Sequence, residues 1–197
     1  MARHLKAVVQ NIKRVYDGFF KIDEYDILRD RHDGGQDRLT RLNFERGHAV
    51  AILAFDPERD VVLLVNEFRI GPLAAGEHPF TDSLPAGMID TGESPKEAAR
   101  REMREETGQP VGKTEVIHAG AYVSPGGTSE KVSLIYTEFD SRKAGGIHGL
   151  TDEKESIETV LTPAADFIKA AEDSRQTDMK TVLAAYWLKQ NYSRLKQ

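Results

Sequence analysis

The sequence predicts an α+β fold: an α/β/α sandwich with a mixed sheet, preceded by an antiparallel β-hairpin lobe. Three observations carry this. Two apolar, β-forming runs, His48 to Phe55 and Val61 to Phe68, follow one another across the short turn Asp56-Pro57-Glu58-Arg59-Asp60. A single well-bounded helix near residues 95 to 107 interrupts the strands, and helical spacing returns only at the end of the chain. Strands that flank one helix and are closed by others pack most simply as layers about a sheet.

In chain order, residues 6 to 30 alternate loosely between apolar and polar through Phe20, Ile22, Tyr25, Ile27 and Leu28, up to the turn signal His32-Asp33-Gly34-Gly35. Leu39 to Asn43 reads as the returning strand, which completes a hairpin. The expected division is an N-terminal β lobe over 1–47, suited to dimerisation, and a main domain over 48–197. Strands are expected again at 115–122 and 131–139, both rich in β-formers. Helices are expected at 163–173 and 177–193, the second through Val182, Leu183, Tyr186, Trp187 and Leu188, a stripe that reads as core.

The chain has 197 residues, enough for one domain with a small appended element. Its 27 basic and 32 acidic side chains leave a formal charge of −5, which argues against a nucleic-acid surface. The absence of cysteine excludes disulfides, zinc–thiolate sites and thiol nucleophiles. The first residues lack the apolar core of a secretory signal, and no apolar run approaches membrane-spanning length. No membrane partner is expected, and a cytoplasmic location is the default expectation.

The central helix is delimited by local chemistry. Ser94 is a good N-cap, Pro95 suits the first helical position, Glu97 completes a capping box, and Gly108 supplies the left-handed residue that ends it. Glu102 and Glu106 then stack one turn apart with Glu105 beside them, and Ala99 and Met103 border the same stripe. Like charges at this spacing destabilise a bare helix, so the cluster invites a cation. A solvated helix paired with Arg100, Arg101 and Arg104 is the alternative. Pro85, Gly87 and Gly92 in front form a tight loop able to bring backbone carbonyls to the helix start. Oxygen donors beside an open loop suit Mg²⁺, which prefers one or two carboxylates plus substrate phosphates.

Gly87, five residues, Glu93, seven residues, then Arg101-Glu102-Met103-Arg104-Glu105-Glu106-Thr107-Gly108 resembles the signature of the Nudix hydrolases. One position departs: Gln109 stands where the family usually has an aliphatic residue. The resemblance implies bound Mg²⁺, with Mn²⁺ an alternative, as two or three ions, and hydrolysis of a nucleoside diphosphate linked to another group. It implies Glu102, Glu105, Glu106 and the Ala86 carbonyl as metal ligands, Glu106 as catalytically essential, and Arg101 as the residue that orients the acids.

Further runs resemble the subgroup that hydrolyses ADP-ribose: Glu45-Arg46-Gly47-His48, Ser124-Pro125-Gly126-Gly127-Thr128-Ser129-Glu130, and the stretch from Gly146 to Glu155. Gly145, Gly146 and Gly149 read as a mobile segment carrying acids at its far end. The resemblance implies Glu153 as the base that deprotonates water and Glu155 as a metal ligand. It also implies Phe19 stacking on adenine, Arg41 and Arg69 holding the base or the diphosphate, and Met88, Ser124 and Glu130 near the substrate. Phe19, Arg41 and Glu130 would act across subunits, which requires a homodimer with a shared site. His48 and His148 read as structural. Another nucleotide sugar such as GDP-mannose is the alternative substrate. A domain that senses a nucleotide without cleaving it is the alternative class, against which the intact acids argue.

Overall fold

The computed structural model describes residues 4–197, the Glu153 side chain excepted. The chain forms two compact units, one running to His48 and including Tyr122–Lys131, the other made of Ala49–Ala121 and Val132–Gln197. The first unit holds an antiparallel sheet of three strands, β1 (Ala7–Asp17), β2 (Lys21–Asp30) and β3 (Gln36–Glu45), in that order. The expected hairpin is therefore a three-stranded meander. The additional turn, where the Gly18 N–H donates to the Phe20 carbonyl at 3.0 Å, escapes sequence reading because β1 is exposed along its whole length. With neither face buried, no alternation marks where β1 ends. The second turn lies at the expected residues, with Gly34 at φ 98° and the Asp33 carboxylate accepting from the Gly35 N–H at 3.1 Å.

In the second unit, strands β4 (Ala49–Asp56) and β5 (Val61–Phe68) form the core pair. They are followed by a short helix α1 (Ile70–Ala74), strands β6 (Phe80–Ser83) and β7 (Ala86–Met88), and helix α2 (Pro95–Thr107). Next come β8 (Thr114–Tyr122), β9 (Lys131–Glu138), β10 (Ile147–His148) and β11 (Ile157–Pro163), then α3 (Ala164–Glu172) and α4 (Met179–Leu195). The sheet order is β10-β11-β5-β4-β9-β8, with β6 paired to β5 and β7 to β4. β4 runs parallel to β9 and antiparallel to β5 and β7, so the sheet is mixed as expected.

Strand alternation sorts the core into two layers. Ala51, Leu53 and Phe55 of β4, Val62 and Leu64 of β5, and Leu134 and Tyr136 of β9 pack with Phe167, Ala171, Ala184, Ala185 and Leu188 of α3 and α4. Val50, Ile52, Ala54, Leu63 and Ile135 face the other way, onto Ala98, Ala99 and Met103 of α2. Helices thus cover both faces of the sheet, α3 and α4 on one and α2 on the other.

α4 is capped by Asp178, whose carboxylate accepts from the Thr181 N–H at 3.1 Å and ion-pairs with Lys180 at 2.9 Å. The Thr181 hydroxyl also accepts from the Leu84 N–H at 3.1 Å, which ties α4 to the connection between β6 and β7. Burial pushes the Asp178 carboxyl up, but Lys180 and Thr181 together hold it below its usual range. A depressed folded value means stabilisation that is complete above the unfolded carboxylate pKa and lost as pH falls through the folded one. Asp178→Ala is therefore expected to cost about 1–2 kcal/mol at neutral pH. In urea denaturation the gap to the parent should narrow in acid.

Candidate active site

The ends of α2 follow the local rules. The Glu97 N–H donates to Ser94 Oγ at 3.3 Å, the Ser94 N–H donates to Glu97 Oε2 at 2.8 Å, and Gly108 closes the helix at φ 65°. The helix turns Ala98, Ala99 and Met103 fully inward, which carries Glu102 and Glu106 to the border of the core at 7% and 4% exposure. Gln109, the departure from the signature, is buried and donates through Nε2 to the Lys143 carbonyl at 2.8 Å. A hydrogen bond there does the anchoring that an aliphatic side chain would do by packing.

The segment in front of α2, expected as a loop, is in part a strand. Three residues of β7 pair with β4 in the register Ala49↔Met88, Val50↔Gly87, Ala51↔Ala86. A run this short has no periodicity to read. The pairing presents β7 to the acids of α2. The Ala86 N–H donates to Glu106 Oε2 at 3.0 Å, and the Glu102 carboxyl lies so close to Gly87 that a Cβ on that residue would stand 1.9 Å from Oε1. Glycine is required here by the approach of a side chain.

Arg101 gathers the remaining groups. Its Nη1 donates to Glu102 Oε1 at 2.6 Å and Glu105 Oε2 at 3.2 Å, and its Nη2 donates to the Met88 carbonyl at 2.7 Å and Glu93 Oε2 at 2.9 Å. Hydrogen bonding to Glu93 is the chief cause that raises the Arg101 pKa, and the same bonds hold the Glu93 carboxyl low. Burial pushes the Glu102 carboxyl up, and Arg101 only partly counters it. Glu106 is pushed well up by burial, then by the charges of Glu67 and Glu102.

Glu67 was not among the sequence-predicted residues. It is 9% exposed near the end of β5, its carboxyl is raised by burial, and Arg69 ion-pairs with it. The available signal was a charge inside the apolar run of β5, but such a residue reads equally as the end of a strand. Arg69, expected on the substrate, is thus engaged by Glu67. Glu155 lies in the same unit, where its charge acts on both Glu67 and Glu102, and its Oε2 accepts from the Leu150 N–H at 3.1 Å.

The stretch expected as a mobile segment has short regular pieces. β10 pairs with β11, a single 3₁₀ turn spans Thr151–Glu153, and the Gly149 N–H donates to the Glu105 carbonyl of α2 at 3.2 Å. The Glu153 side chain, expected as the base, lies outside the described residues. His148 Nε2 meets the Gly145 carbonyl at 3.0 Å and His48 Nδ1 accepts from the Lys131 N–H at 3.3 Å, structural roles as expected.

The second unit therefore brings together Arg69, Ala86, Met88, Arg101, Glu102, Glu105, Glu106 and Glu155, together with Glu67. Phe19, Arg41, Ser124 and Glu130 belong to the first unit. Phe19 is 93% exposed and meets Phe20 edge-on at 4.8 Å. Arg41 donates to the Thr40 carbonyl at 2.8 Å, the Ser124 carbonyl accepts from the Gly127 and Thr128 N–H groups at 3.0 Å, and buried Glu130 lies 3.7 Å from Arg46.

Among the described residues no three Asp, Glu or His side chains are gathered so as to hold a metal ion by themselves. The donors that are present are hard carboxylate oxygens in a buried setting where negative charge outweighs Arg69 and Arg101. The absence of a Cβ at Gly87 lets the Glu102 carboxyl come up against the β7 backbone. This fits a hard divalent cation that keeps open positions for water and phosphate, better than it fits a structural metal.

A profile described as the NUDIX domain matches residues 45–185. The ADP-ribose pyrophosphatase of Escherichia coli (strain K12) is 39% identical over 184 residues, covering 92% of this chain and 87% of that protein. The GDP-mannose pyrophosphatase of Pectobacterium atrosepticum is 32% identical over 176 residues, covering 87% of this chain and 88% of that protein. A crystal structure described as an ADP compounds hydrolase superposes with a TM-score of 0.70 at 24% identity, covering 94% of this chain and 96% of that one, and shares the fold. The chain belongs to the NUDIX family, as its signature led us to expect.

Proposed function

We propose that this protein hydrolyses the diphosphate of ADP-ribose to AMP and ribose 5-phosphate with the help of Mg²⁺ or Mn²⁺, two or three ions per site. The observation that carries the reading is the burial of Glu102 and Glu106 against β7 with too few protein cations to balance them. The ADP-ribose pyrophosphatase relatives support the choice of substrate. A bound divalent cation would neutralise phosphate charge and make a neighbouring water more acidic. Glu102, Glu105, Glu106, Glu155 and the Ala86 carbonyl would hold it, and Arg101 keeps the helix acids in position. Arg69 and Met88 contact the substrate in this reading, and Glu153 takes the proton from the attacking water.

We propose in addition that 1–47 forms the dimerisation lobe and 48–197 the catalytic domain of a cytoplasmic homodimer. Val8, Val9, Ile12, Val15 and Tyr16 leave β1 apolar and exposed, a surface suited to a second copy of the chain. Phe19, Arg41, Ser124 and Glu130 then serve substrate in the shared site.

Similarity to GDP-mannose pyrophosphatases supports a second reading, another nucleotide sugar in the same site. Specificity constants for ADP-ribose, GDP-mannose and diadenosine polyphosphates with Mg²⁺ decide between them. ADP-ribose is expected to rank first, and its ranking last would overturn the proposal. Sedimentation should report a dimer at working concentration; fully active monomers would rule out the shared site.

A further inference from the structure

We propose that Glu67, which lies outside the signature, is an additional carboxylate of the divalent-cation site and approaches it from the sheet rather than from α2. The inference rests on the metal-dependent reading above. Along β5, Glu67 follows Leu63 and Val65 at alternate positions, so it shares the face on which Leu63 packs against Ala98, Ala99 and Met103 of α2. Its surroundings are short of positive charge. Arg101 is shared among Glu93, Glu102, Glu105 and the Met88 carbonyl, Lys180 is held by Asp178, and among the described residues Arg69 alone ion-pairs with Glu67. The only hydrogen bond to the Glu106 carboxylate among the described residues comes from the Ala86 N–H. A buried charge left this way is costly unless a cation completes its surroundings.

An independent observation points to the same place. Ser83 of β6 pairs directly with Val65, which puts its side chain on the α2 face beside the Glu67 position. Its hydroxyl is buried and has no hydrogen-bond partner among the described residues. Buried hydroxyls are almost always satisfied by protein, ligand or ordered water, so this one is open to a polar ligand or its water shell. Glu67 thus does two things: it holds Arg69 in place, and it offers the cation a carboxylate opposite the helix acids.

The test is a Mn²⁺ titration of the whole protein without substrate, following free Mn²⁺ by electron paramagnetic resonance. Glu67→Gln, close in shape, is expected to weaken Mn²⁺ binding about tenfold, and Glu67→Asp to fall between it and the parent. In a Glu106→Gln background, Glu67→Gln should have a smaller effect, because the two acids serve one site. Unchanged Mn²⁺ affinity in Glu67→Gln, with affinity lost in Glu106→Gln, would overturn the inference and leave the proposed function standing. Weakened Mn²⁺ binding in a protein that fails to turn over ADP-ribose would support the inference and overturn only the proposed substrate.

Discussion

Glu106→Gln is expected to lower turnover by about a hundredfold or more while the protein stays folded. The magnitude follows from removing a charged group placed where the reaction needs a cation held. Retention of the fold follows from burial: Glu106 is 4% exposed and lies beside Glu67 and Glu102, so an uncharged isostere relieves repulsion in the metal-free protein. The amide can still accept from the Ala86 N–H that now binds Glu106 Oε2 at 3.0 Å. Turnover of ADP-ribose with Mg²⁺, read beside a thermal melt, checks both parts. An unchanged rate would refute the role of Glu106 in the site.

Gly87→Ala is expected to separate function from stability in a different way. The added Cβ would stand 1.9 Å from Glu102 Oε1, so one of the two must move. The mobile partner is the carboxyl at the end of a flexible side chain, because Gly87 is held by its pairing with Val50. The cost in stability should therefore stay within about 1–2 kcal/mol. The Glu102 carboxyl would be turned out of its place between Arg101 and β7, and Mn²⁺ affinity should fall about tenfold or more, with turnover falling in parallel. Gly71→Ala, where a Cβ meets nothing within 4 Å, is the matched control and should leave Mn²⁺ affinity unaltered. Equal Mn²⁺ affinity in Gly87→Ala and the parent would mean that Glu102 is not needed where the structure puts it.

Much of this site could be read in one dimension. The start and stop of α2 depend on Ser94, Pro95, Glu97 and Gly108, all acting on backbone within a turn of themselves, and the structure has them in those roles. The β4 and β5 pair was equally legible, since long apolar runs either side of a turn leave little choice. Elements that carry no local signal were not legible. β7 is three residues long, and β1 buries neither face, so neither shows a period. Glu67 shows the same limit in a side chain, because a lone acid in an apolar strand has no local partner to mark it.

By itself the sequence determined that three carboxylates share one helical stripe behind a glycine-bearing segment, because capping and helical periodicity are short-range effects. Only the tertiary structure decided that two of them are buried, that Gly87 makes room for one, and that Glu67 is buried on the face of β5 turned toward α2. The physical reason is that desolvation and charge repulsion depend on what lies nearby in space. α2 meets β4, β7, β10 and β11 in a sheet whose neighbours come from distant parts of the chain.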